Sequence, residues 1–177
     1  RRQAELQSAA RAVAESMSRA SPVIPPASLD VACEQAPEML PPAVQSTPAG
    51  FRLHDPAPGG AEMRVFHVTG FADGCARSFS AVAAALGSAT AHEAVRLNPL
   101  NQAPWSATDG AFEEARARLC GGAAASECRA ANGDELDRHL AVLSIYRSFG
   151  PQADWQEVLL EAGAEVQPRP DGQTAAR

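Results

Sequence analysis

Lysine is absent from the chain, and all 15 of its basic side chains are arginines. That removes every mechanism built on a side-chain primary amine, including Schiff-base chemistry, the Lys-bearing phosphate loop and the Ser-x-x-Lys nucleophile. Gly-x-Ser-x-Gly, Gly-x-Gly-x-x-Gly and Cys-x-x-Cys are missing too, so hydrolase, dinucleotide and thioredoxin-like signatures are excluded. Aromatics are scarce, at one Tyr, two Trp and six Phe, so a core must rest on Leu, Val and Ala. No apolar run approaches the about 18 residues of a membrane-spanning helix, and mean hydropathy is −0.20. Net charge is −6, which argues against a nucleic-acid binder that works by neutralising phosphates.

What remains is 177 residues with 45% hydrophobic and 20% charged side chains, enough to bury one real core. Arg in place of Lys, with abundant Ala, Gly and Pro, is the writing of a GC-rich bacterial genome. Four cysteines, Cys33, Cys75, Cys120 and Cys128, permit three pairings. Without Cys-x-x-Cys or a close Cys/His group, they do not spell a zinc site. The spacing favours Cys120–Cys128 across a Gly-Gly-Ala bend and Cys33–Cys75 across the N-terminal third. Loop entropy assigns such bonds roughly 2.5 and 4 kcal/mol. Two disulfides imply an oxidising compartment, hence a periplasmic or secreted protein. A signal peptide removed ahead of Arg1 would fit that reading.

Along the chain, residues 2–19 read as a thin amphipathic helix, and residues 20–27 as a Pro-rich linker, together an N-terminal arm (1–27). Ser28 opens a short helix toward Met39, and Pro41, Pro42 and Pro48 mark an irregular stretch. Phe51–His54 and Glu62–Phe71 read as strands, the second central. Asp73 caps a helix through Leu86, placing Cys75 in its first turn and turning Cys75, Phe79, Val82 and Leu86 inward. Ala91–Leu97 reads as a strand. Residues 110–119 read as a helix capped by Asp109 or Thr108 and supported by Glu114 and Arg118. Residues 140–149 and 155–166 read as strands, and 168–177 as a disordered tail. The order predicts an α+β domain over 28–167: a mostly antiparallel sheet of about five strands with helices on one side, preceded by one or two N-terminal helices.

Three constellations invite chemistry. Cys75 at a helix N-terminus with His67 nearby could form a thiol nucleophile, but its inward face and the other cysteines favour a disulfide. His92-Glu93-Ala94-Val95-Arg96 begins like the zinc-protease His-Glu-x-x-His. Arg96 stands where the second ligand belongs, so a solvated polar stretch is expected and no metal is assigned. His67, Asp73 and Arg77 meet at a strand-to-helix junction and form a candidate site for a small anionic ligand. No catalytic residue and no cofactor is expected.

The expected function is a non-enzymatic exported domain that binds a protein partner or a small ligand. The alternatives are a thiol-dependent or hydrolytic enzyme centred on Cys75 and His67, and a structural envelope protein whose first helix serves as a tether.

Overall fold

The computed structural model describes residues 29–101, 105–121 and 134–166. Strands β1 (Asp30–Ala32), β2 (Ala43–Ser46), β3 (Arg52–His54), β4 (Arg64–Thr69) and β5 (Ala76–Ala81) form one antiparallel sheet, in the order β1-β5-β4-β3-β2. Strands β6 (Ala83–Ser88), β7 (Leu140–Tyr146), β8 (Trp155–Glu161) and β9 (Ala164–Val166) form a second, in the order β6-β7-β8-β9. Between β6 and β7 the chain inserts helices α1 (Ala89–Arg96) and α2 (Ala107–Leu119), and residues 134–139 are also helical. The class is α+β, with two antiparallel sheets where one of about five strands was expected.

The layers follow from side-chain alternation. Along β7, Ala141, Leu143 and Ile145 face the first sheet and join Phe51, Leu53, Phe66, Val68 and Phe79 in one core. Leu140 and Val142 point the other way and join Leu159, Phe112, Ala115 and Leu136 beneath the helices. A strand covered on both faces reads as a continuous apolar run, as Leu-Ala-Val-Leu-Ser-Ile-Tyr does. The sequence placed β3, β4, β7 and α2 in the right segments, whereas the single strand expected over 155–166 turns at Ala162 and Gly163 into the antiparallel pair β8–β9.

Residues 73–86 are not a helix. β5 and β6 are nearly one strand, which leaves the first sheet at Val82 and enters the second. Alanine and serine there fit both periods, so Phe79 and Leu86 at helical spacing misled. Arg64 secures the crossing: its guanidinium donates to the Val82 carbonyl at 2.7 Å while gripping Asp55 with two bonds of 2.6 and 2.7 Å. At the other end of β4, Gly70 has φ +109°, and a Cβ there would collide with the Gly50 carbonyl. Gln45 on β2 accepts from the Leu86 N–H at 2.7 Å, occupying part of the open edge of β6.

Four further expectations change. The stretch expected as a helix toward Met39 holds β1 and a single 3₁₀ turn, Pro37–Met39. The Pro-flanked stretch after it contains β2. Ala91–Leu97 is helical, because Ser88 caps α1 by accepting from the Ala91 N–H and Asp137 accepts from both the backbone and the hydroxyl of Thr90. Asp109 is not the cap of α2 but its third residue: Ser106 caps, in a reciprocal capping box with Asp109. Arg118 reaches across to Glu161 on β8. The expected N-terminal helix, linker and C-terminal tail lie outside the described residues.

Cys33 and Cys75 are bonded, with Cα atoms 4.5 Å apart. They extend the β1–β5 register one step beyond Ala32↔Ala76. Cys120 is disulfide-bonded as well, while Cys128, its expected partner, lies outside the described residues.

Candidate functional site

His92 and Arg96 lie one turn apart on α1, Asp109 lies in the first turn of α2, and Glu157 comes from β8. Glu157 is on the helix-bearing face of β8, in step with Leu159, so it enters the layer between sheet and helices. Thr108 locks the junction by donating to the Glu157 carbonyl at 2.8 Å.

His92, Arg96 and Asp109 line a small cleft walled by Leu97, Trp105 and Phe112, with room for about one water-sized guest, and Glu157 faces His92 from β8. His92 stacks on Phe112 with ring centroids 4.8 Å apart. Its Nε2 faces Asp109 Oδ1 at 3.4 Å and its Nδ1 faces Glu157 Oε1 at 3.8 Å, with the His92 side chain 7% and Asp109 3% exposed. Asp109 Oδ2 accepts from the Ser106 backbone and hydroxyl at 2.8 and 2.9 Å and lies 3.3 Å from Arg96 Nε. Oδ1 is left over. It and His92 Nε2 are buried without an aligned hydrogen bond. Arg96 in turn lies over the Trp105 ring, 4.7 Å from its centroid.

Electrostatics separates the two carboxyls. Burial works against the Asp109 charge, but His92, the Ser106 donors and Arg96 outweigh it and hold the carboxylate below its ordinary range. Burial pushes Glu157 above its ordinary range; His92 opposes that shift, the Asp109 charge adds to it, and Arg96 opposes it. An imidazole between two carboxyls of unequal acidity can hold a cation or pass a proton.

The solvated polar stretch expected at His92-Glu93 is therefore buried, with Glu93 itself 2% exposed. The missing second histidine had closed the metal reading, but the partners of His92 come from 17 and 65 residues away. The local signals were Ser106-x-x-Asp109 and the His92/Arg96 spacing; nothing local tied Glu157 to them.

The structure partly gathers the expected anion site. Arg77 pairs with Asp73 at 2.7 Å, donates to the Cys75 carbonyl at 2.9 Å, and stacks over Phe71. The Asp73 carboxyl is held below its ordinary range by Arg77 and by the Cys75 N–H. Arg77 is opposite Val68 in the β4–β5 register, so it shares that face, while His67 points to the other. Burial and the facing His54 hold the His67 imidazole below the ordinary histidine range. Asp73 and Arg77 meet in a turn, not at a helix N-terminus, and His67 stands apart. The Cys75 sulfur is bonded to Cys33.

No family model, curated protein or solved structure matches the chain.

Proposed function

We propose that the chain is a non-enzymatic, disulfide-braced binding domain of an oxidising compartment outside the cytoplasm, and that it takes a protein partner on the helix-bearing face of its second sheet. The carrying observation is where the scarce aromatics go. Phe51, Phe66, Phe71, Phe79 and Phe112 are buried, whereas Trp105, Trp155 and Phe149 are 53%, 38% and 65% exposed. Tyr146 stacks with Trp155 and Phe149 at centroid distances of 6.0 and 5.6 Å. Tyr146 and Trp155 are cross-strand partners on the same face as Glu157, at the end of the β7–β8 hairpin. Large, stiff, amphipathic rings in an exposed row are the side chains that dominate protein interfaces. Leu97, which walls the same cleft as Trp105, and Leu100 add exposed apolar surface. The bonded cysteines favour the oxidising compartment and leave Cys75 no free thiolate for catalysis.

A photo-crosslinking residue placed at Phe149 or Trp155, in the cells that make the protein, tests this reading. One defined protein should be trapped from both positions and not from Met39, which is 77% exposed in the 3₁₀ turn between β1 and β2. Trapping nothing, or the same products from Met39, refutes it.

A further inference from the structure

We infer that His92, Asp109 and Glu157 form a binding site for one divalent metal ion of the zinc, cobalt or nickel type. This does not rest on the partner surface above. Each residue offers one donor atom, and the three lie within 4.8 Å of one another. Two of them already stand at bonding span. Ligands on a tetrahedral ion at about 2.0–2.1 Å lie about 3.4 Å apart, and His92 Nε2 and Asp109 Oδ1 are separated by 3.4 Å. Glu157 Oε1 lies nearest the other ring nitrogen, Nδ1, at 3.8 Å, so its carboxylate must swing toward the Nε2 side to join them.

The second observation is independent of spacing. His92 Nε2 and Asp109 Oδ1 are both buried and both lack a hydrogen bond, although such atoms ordinarily find one. They point at each other across a gap that a cation would fill. The supporting contacts are those of a held ligand: Asp109 is fixed through its other oxygen by Ser106 and Arg96, and His92 is set against Phe112. Arg96 is placed on Oδ2 and over Trp105, outside the gap. One imidazole with two carboxylates suits a borderline ion, not calcium or magnesium, which prefer all-oxygen sets. The remaining position opens to the cleft, so water or a partner's side chain can complete the shell.

The test uses the full chain, purified without a histidine tag, stripped with chelator and titrated with cobalt chloride and zinc chloride alone. One equivalent of cobalt should bind with visible bands of low-symmetry coordination, and zinc should displace it. Glu157→Gln, nearly isosteric, should weaken zinc at least tenfold and His92→Gln more, whereas His139→Gln should change nothing. His139 is the control because its exposed pairing with Glu135 at 2.9 Å is the obvious adventitious site. If His92→Gln fails to fold, Glu157→Gln decides, with its circular dichroism and melting checked first. Absence of binding at millimolar metal, binding unchanged in Glu157→Gln, or binding lost in His139→Gln would each overturn the assignment.

Discussion

Cutting the Cys33–Cys75 bond should destabilise the protein by the same amount from either end. The bond spans 42 residues in sequence, for which loop entropy assigns about 4 kcal/mol. That figure is a ceiling, because the bond has a second, local task. β1 is three residues long, pairs among the described residues with β5 alone, and with the preceding Leu29 sinks only that leucine and Ala32 into the interior. Burying a leucine contributes about 1.5–3 kcal/mol. Without the bond, β1 can detach before the rest unfolds, and its detachment limits the loss seen globally. The expected loss for Cys33→Ser or Cys75→Ser is therefore about 2–4 kcal/mol, and the double variant should match each single one, since all three remove one bond. Urea unfolding followed by circular dichroism measures this, with hydrogen exchange showing whether β1 opens first. Unreduced wild type, unfolded in denaturant, should present no alkylatable thiol, in line with the absence of free cysteines among the described residues. A loss at Cys75 with none at Cys33 would mean that Cys75 acts as a thiol and would refute the reasoning, as would recovery of four free thiols.

Asp55→Asn should cost about 1.5–3 kcal/mol at neutral pH, the usual loss for a charge-assisted hydrogen bond. Arg64 holds the Asp55 carboxyl below its ordinary range, so this contribution is full above the unfolded carboxyl value of about 3.9 and fades as pH falls through the lower folded value. Wild type should thus lose more stability than the variant on acidification below pH ~4; equal acid slopes would contradict the assignment. Leu159→Ala should cost about 2–5 kcal/mol, because Leu159 is 1% exposed between the second sheet and the helices. A loss under about 1 kcal/mol by calorimetry would mean that the helical layer is not packed as described.

Strands with two unlike faces were legible in the sequence. Alternation separated Phe66 and Val68 from Val65 and His67 on β4, and the structure buries the first pair and leaves Val65 exposed. The β5–β6 segment was not, because alanine carries little period and its helix propensity points the wrong way. What decides there is the neighbour on each side, β4 for Phe79 and β7 for Leu86, and neither is local. α1 failed in the reverse sense. Its start is fixed partly by Asp137, 47 residues on from Thr90. The Cys33–Cys75 pairing was readable because it depends on count and loop length, not on which element carries Cys75. The cluster at His92 was unreadable because its members sit on three separate elements, and the spacing rules that expose a metal site work only within one.

The same separation explains what the cluster is for. Along one face of β8, Leu159 is buried with the helices, Glu157 faces His92, and Trp155 emerges at the surface. Over about 13 Å of strand, the environment passes from dry core to solvent, and the charged groups occupy the step between. For stability alone, that step is better filled by apolar side chains, since buried charges seldom recover their desolvation cost even when paired. Here the pairing is incomplete: a buried carboxylate oxygen and a ring nitrogen face each other unbonded. Meanwhile Thr108, Ser106 and Phe112 hold the same groups still. Rigid support around unsatisfied donors contributes nothing to folding that a leucine could not. It does keep an imidazole and two carboxyls at a fixed separation beside an exposed aromatic surface, which is what a cation, or a partner that completes its coordination, requires.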